Sequence, residues 1–180
     1  MKATGIVRRI DDLGRIVIQK EIRRTLRIRE GDPLEIFTDR EGKVILKKYS
    51  PIGELGTLAG IYADSLSKIL GCTVCITDTD QVIAAAGNGK KELQEMLLSA
   101  ELAEVFQERK TVLKKSSDAE FVAITKDRSE YSEEIISVIL SEGDIAGGVI
   151  FLQKNEKKHF GEMEKKFAAG AADLLGRQLS

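Results

Sequence analysis

Hydrophobic and polar residues follow two different periods along this chain, and the changes of period mark its elements. Residues 4–10, 15–18, 34–39 and 43–48 alternate at a period near two, as half-buried strands do. Between the second and third of these, Lys20-Glu21-Ile22-Arg23-Arg24-Thr25-Leu26 allows about two helical turns. Turn chemistry separates the runs: Asp11-Asp12-Leu13-Gly14, Gly31-Asp32-Pro33 and Arg40-Glu41-Gly42 each combine backbone-bonding or φ-setting residues. From residue 54 to 70 the period lengthens. Leu55, Leu58, Tyr62, Leu66, Ile69 and Leu70 fall on one helical face, and Gly71 follows as a C-cap.

Two strands are predicted over 72–77 and 81–86. A second amphipathic helix is predicted through Leu93, Met96, Leu97, Ala100, Ala103 and Phe106. Residues 111–113 and 121–124 are short strand candidates. A hairpin is predicted from 135–140 and 145–153 about Glu142-Gly143-Asp144, and a closing helix through Phe160, Met163, Phe167, Ala171, Leu174 and Leu175. The fold class expected is α+β: an N-terminal β unit, then an antiparallel sheet with flanking helices. Pro51 and Gly53 interrupt both periods, so the expected division is residues 1–50, a linker at 51–54, and residues 55–180.

Composition changes this picture in one respect, which is charge. The formal net charge of −1 conceals an N-terminal half (1–50) at +5 and a remainder at −6. Within residues 1–30 the cations are Lys2, Arg8, Arg9, Arg15, Lys20, Arg23, Arg24, Arg27 and Arg29, and seven of these nine are arginine. The planar guanidinium suits phosphates and guanine edges, so a polyanion is the expected partner. The helix here is too short for half of a helix-turn-helix, so strands, turns and the basic helix face would have to read the nucleic acid. About 50 residues also bury too little to be stable alone, which predicts a core completed by a second copy. In 55–180 the heptad-like spacing of 160, 163, 167 and 174 suits a helix bundle between chains.

Other chemistry is thinly represented. No apolar run nears the ~20 residues of a membrane span. The N-terminus lacks an apolar signal core, so a cytoplasmic protein is expected. Cys72 and Cys75 lie in a strand-like run and should face opposite sides. His159 is the sole histidine, so no metal or cofactor site is expected. Gly87-Asn88-Gly89-Lys90-Lys91 has the composition either of an anion cradle or of an ordinary capped turn.

Thr4-Gly5-Ile6-Val7-Arg8, Asp12-Leu13-Gly14-Arg15-Ile16-Val17-Ile18, Lys20-Glu21-Ile22-Arg23-Arg24-Thr25-Leu26 and Gly31-Asp32-Pro33-Leu34-Glu35-Ile36 occur in order, and this stretch resembles the AbrB family of bacterial regulators. The resemblance implies a swapped-hairpin β dimer whose DNA contacts are Arg8, Arg15, Arg23 and Arg24, with Arg9 and Lys20 supporting them on phosphates. Where that family has proline after the second strand, this chain has Gln19, an exchange expected to cost ~1 kcal/mol or less. The second half, with Ala146-Gly147-Gly148-Val149-Ile150-Phe151 after its hairpin turn, resembles a GAF domain, which leaves room for a small-molecule ligand. Together the two resemblances imply a DNA-binding activator or repressor of sporulation, nucleoid-associated and dimeric through 1–50, with a tetramer formed through the second domain. Two other classes compete: an antitoxin-like or scaffold protein with a protein partner, and a GAF-type thiol enzyme using Cys72 or Cys75.

Overall fold

The computed structural model describes residues 5–126 and 130–179. The chain divides into two compact units, Met1–Tyr49 and Ser50–Ser180.

In the first unit, helix α1 (Lys20–Thr25) is followed by a hairpin of β1 (Leu34–Thr38) and β2 (Val44–Lys48). The hairpin register runs from Leu34 opposite Lys48 to Thr38 opposite Val44. Its turn is organised by Asp39, whose Oδ1 accepts from the Glu41 N–H (2.9 Å) and the Lys43 N–H (2.8 Å). The same device recurs at Asp11, whose Oδ1 accepts from Leu13 (3.0 Å) and Arg15 (2.7 Å). Gly14 and Gly42 stand at the same place in the two turns, with φ of 76° and 78°. In both, an aspartate four residues before a cation closes the loop, and glycine takes the left-handed position that a side chain would strain.

Residues 5–10 and 15–18 differ from expectation: they form no strand within the chain. Thr4 lies outside the described residues. A strand exists only through its ladder, and among the described residues no strand pairs with these segments. Val7 is 89% and Val17 72% exposed. None of the described residues of the unit is buried. The apolar side chains that ought to form its core (Ile6, Ile16, Ile36, Phe37 and Leu46 among them) lie open.

The second unit has the reverse property. Residues 51–54, expected as a linker, form a short helix α2 (Pro51–Glu54) capped by Ser50, whose Oγ accepts from the Gly53 N–H at 3.0 Å. Proline suits the first helical turn, where its missing N–H costs nothing, and Ile52 beside it is fully buried. Helix α3 (Gly56–Leu70) ends at Gly71 with φ 65°, as its sequence predicts. Strands β3 (Thr73–Thr77) and β4 (Val82–Ala86), helices α4 (Lys90–Leu93) and α5 (Ala100–Gln107), strands β5 (Val112–Lys115), β6 (Glu133–Ser141) and β7 (Asp144–Gln153), and helix α6 (Glu162–Gln178) complete it. The five-stranded sheet has the order β4-β3-β7-β6-β5, antiparallel throughout.

Alternation along the strands sorts side chains to two cores. Val74, Ile76, Ile135, Ile139, Val149 and Phe151 pack with α3 and α6. Cys75, Ile136, Val138, Ile150 and Leu152 pack with Leu102, Val105 and Phe106 of α5. Two expectations need correction. The helix read through residues 93–106 is broken: Glu95 takes φ 63°, residues 97 and 98 bridge to Gln81 and Thr125, and Ser99 starts α5 with its Oγ accepting from the Leu102 N–H (3.0 Å). A serine ahead of Ala-Glu-Leu is a helix-start signal that the apolar periodicity overrode. Residues 121–124 form no strand; the Ile124 carbonyl accepts from the Ser99 N–H at 3.0 Å, and Thr125 beyond them bridges to Leu98.

Helix α6 lies close against β6. A Cβ built on Gly176 would stand 2.1 Å from the Leu140 carbonyl oxygen, so the helix can reach this depth only with glycine there. Gly176→Ala is expected to lower unfolding stability by about 1–3 kcal/mol through forced displacement of α6. Urea unfolding of the variant beside the parent checks this, and an unchanged midpoint would refute the close-approach explanation.

Candidate nucleic-acid interface

The predicted contact residues gather on three short features of the first unit. Arg15 leaves the Asp11 turn, and its own N–H donates to Asp11 Oδ1. Lys20, Arg23 and Arg24 share α1, at spacings of three and four that place them on one side of the helix. Arg8 and Arg9 lie in the segment before the turn. Arg8, Arg9, Arg15, Lys20 and Arg24 are exposed, while Arg23 is half-buried with its Nε enclosed and without a hydrogen-bond partner. Basic residues in the last turn of α1 oppose the negative end of its dipole.

Helix α1 begins at Gln19, whose φ of −63° and ψ of 151° turn the chain and whose carbonyl accepts from the Arg23 N–H at 2.9 Å. It ends as the N–H of Ile28 reaches back to the Arg23 carbonyl at 2.8 Å while Arg27 adopts φ 54°. This left-handed exit, usually glycine, is occupied here by an arginine. A clasp then fixes the return to the hairpin: Lys48 pairs with Asp32 at 3.0 Å, and Asp32 Oδ2 accepts from the Arg29 N–H at 2.7 Å. One contact reaches between the arginine-bearing segments: the Gln19 side-chain amide meets the Arg8 guanidinium. From the sequence Gln19 reads only as a loosened loop, and no pattern in the chain signals its polar contact.

In the second unit the thiols are poor nucleophiles. Burial, together with the Glu164 carboxylate, pushes the Cys72 thiol up to about 12. Burial does the same to Cys75, also to about 12. They lie in opposite cores, as the strand period predicts. Among the described residues, no three His, Cys, Asp or Glu side chains are grouped to hold a metal. No helix there is long and apolar enough to cross a membrane.

Two buried carboxylates sit side by side on β6 and face opposite ways. Glu133 fixes the approach to α6: its Oε1 meets His159 Nδ1 at 2.7 Å, and its Oε2 accepts from the Phe160 N–H at 2.6 Å. Burial opposes its charge, but these partners and Lys115 hold its carboxyl below the ordinary range. Glu134 is fully buried opposite Lys114 of β5. Its Oε1 accepts from the Val122 N–H at 3.1 Å, while its Oε2 has no partner.

The comparisons with known proteins agree with this two-unit construction. Residues 54–180 match the family described as "Stage V sporulation protein T C-terminal, transcription factor". Stage V sporulation protein T of Bacillus subtilis (strain 168) is 51% identical over 183 aligned residues, covering 99% of each chain. The chain belongs to the stage V sporulation protein T family. It is accordingly a sporulation transcription regulator and not an enzyme. Transition state regulatory protein AbrB of the same bacterium is 43% identical over 96 residues, which are 52% of this chain and 98% of that protein. Residues 7–54 also match the family described as "Antidote-toxin recognition MazE, bacterial antitoxin". Among solved structures, the GAF-B domain of DevS from Mycobacterium smegmatis superposes with a TM-score of 0.56 at 12% identity, covering 72% of this chain and 93% of that one. At that identity the likeness establishes the GAF-like fold of the second unit.

Burial drives the Glu134 carboxyl up from 4.5 to about 7, against the opposing pull of the Val122 N–H and Lys114. A raised acid favours folding while protonated and loses that advantage as it ionises. Glu134 therefore costs stability progressively as pH rises from about 4.5 to about 7, by about 3 kcal/mol at most. Glu134→Gln should leave stability near the parent's at pH 4.5 and exceed it at pH 8. Chemical unfolding at both pH values checks this, and parallel stability curves for the two proteins would contradict it.

Proposed function

We propose that two copies of the first unit close into one β body and bind double-stranded DNA through Arg8, Arg15, Arg23 and Arg24, with Arg9 and Lys20 supporting on phosphates. The observation that carries this reading is the combination found in residues 5–49: no buried residue, yet a crowd of exposed arginines. Apolar area left open at Ile6, Ile10, Ile16, Val17, Ile36 and Val44 is stabilising only once removed from water. A second copy of the same alternating segments supplies the missing ladder and core together. Dimerisation also doubles the cationic face, so that each arginine acts twice along the duplex.

Phosphate neutralisation supplies most of the affinity, because each contact releases condensed counterions. Turn-borne and helix-borne arginines then reach groove edges, and the deformability of the duplex adds selectivity. The acidic remainder of the chain repels the duplex and serves assembly. Its GAF-like fold is the place for a small-molecule effector that shifts DNA affinity. Such a regulator works in the cytoplasm, on the nucleoid.

Assembly of dimers into a tetramer has a physical candidate in α6. This helix carries two apolar faces. Ala168, Ala171, Ala172 and Leu175 are buried against the sheet. Met163, Phe167 and Leu174 remain 62%, 42% and 39% exposed and, with Tyr62 and Leu66 of α3, line an apolar groove of about 410 Å³. The same heptad-like spacing on a second copy fills such a groove by knobs-into-holes packing.

The match of residues 7–54 to an antitoxin family favours one other reading, in which the basic unit holds a protein partner. Salt dependence separates the two. On a fluorescent promoter duplex, binding by the full chain should weaken steeply with salt, and Arg23→Ala should reduce the slope of log affinity against log salt by about 2, one phosphate contact per protomer. Weak, salt-insensitive binding would place the protein-partner reading first. For assembly, Phe167→Glu should convert a tetramer to a dimer in sedimentation velocity while preserving the dimer's DNA binding. A tetramer that survives the substitution would remove α6 from the interface.

A further inference from the structure

We propose that Gln19 is a positioning residue for DNA recognition, its side-chain amide holding the Arg8 guanidinium beside the basic helix. The proposal deepens the DNA-binding reading and rests on it. With the carboxamide turned so that its oxygen faces the arginine, Gln19 Oε1 accepts from Arg8 Nε at 3.2 Å and from Arg8 Nη2. The opposite orientation would set amide N–H against guanidinium N–H, so the hydrogen-bond pattern itself selects this one.

Gln19 is well placed for the role. It is half-buried where Arg8 is exposed, so the acceptor is the fixed member of the pair. Its backbone carbonyl accepts from the Arg23 N–H and opens α1. One residue thus starts the helix that carries Lys20, Arg23 and Arg24 and also ties down the arginine of a separate segment. A guanidinium has five N–H donors, and an acceptor on the Nε–Nη2 edge leaves the Nη1 edge free for a phosphate or a base. The neutral amide matters too. A carboxylate at this position would hold Arg8 more strongly but cancel the charge that draws it to DNA.

The physical effect is pre-organisation. A free arginine loses rotamer freedom when it docks, whereas one already held loses less, and the difference appears as affinity. A proline at this position would have no side-chain acceptor and could not do this. The φ of −63° at position 19 nevertheless fits proline. Gln19→Pro therefore removes the amide while keeping the turn.

The test is a double-mutant cycle on the full-length protein with a fluorescent promoter duplex, at one fixed salt concentration, with thermal melting recorded beside it. Gln19→Ala and Gln19→Pro should each weaken binding by about 2- to 10-fold for each arginine engaged. Melting should not fall in the proline variant. In an Arg8→Ala background neither substitution should weaken binding further. Unchanged affinity in the Gln19 variants would overturn the proposal, and so would an equal loss with and without Arg8, because Gln19 would then not act through Arg8. If Arg8→Ala alone leaves affinity intact, the DNA-contact role of Arg8 falls and the positioning role falls with it. A loss on Arg8→Ala with none on Gln19→Pro rejects positioning while the DNA-binding reading stands.

Discussion

A shortage of burial in the first unit governs the rest of this molecule. Residues 5–49 expose Ile, Val, Leu and Phe side chains that a soluble domain of any size would put inside, and none of the unit's described residues is buried. Hydrogen bonding does not compensate. The Asp11 and Asp39 turns, the β1–β2 ladder and the Lys48–Asp32 pair shape the backbone, but they exchange water bonds for protein bonds at little net gain. The hydrophobic driving force of this unit is thus held for association. Coupling folding to association makes the reader's geometry a property of two chains, and every arginine it presents is presented twice.

The second unit relaxes this constraint by a different use of the same alternation. Along β3, β6 and β7 successive residues alternate between two cores, so the sheet is covered on both faces. Close approach makes this possible at particular places. Gly147 lets the Thr77 carbonyl come near, and Gly148 leaves room for the Phe106 ring. Buried carboxylates then divide between two tasks. Glu133 engages both of its oxygens, one with His159 and one with Phe160, and fixes where α6 begins. Glu134 keeps one oxygen unsatisfied in the opposite core, at a cost in stability, and such a cost is more often kept for function than for folding.

The strengths and failures of sequence reading follow this division. Signals confined to a few neighbours were legible: Gly71 at the end of α3, Glu142-Gly143 at the β6–β7 turn, and the aspartate turns all formed as their chemistry dictates. So did the opposed faces of Cys72 and Cys75. The failures share a cause, which is that apolar period alone does not distinguish a residue covered by its own helix from one covered by a bridge. Leu93, Met96 and Leu97 have helical spacing, but Glu95 breaks the backbone between them and Ser99 restarts it. The strands of residues 5–10 and 15–18 are a different case. Their pattern is strand-like, and what they lack is a partner strand among the described residues.

Gln19 marks the limit of what composition can say about the candidate interface. Arginines were identifiable because their charge is unusual in number and in its concentration within 1–30. A neutral glutamine carries no such signature, and its significance depends wholly on which donor lies within reach. Recognition surfaces of this kind need both sorts of residue. Charged side chains supply the attraction, which falls with salt and is common to every duplex. Neutral side chains that restrict how the charges point determine which phosphates and edges are met in register, and so convert attraction into selection. At position 19, where the backbone would accept proline, a side-chain hydrogen bond links the start of the helix to Arg8.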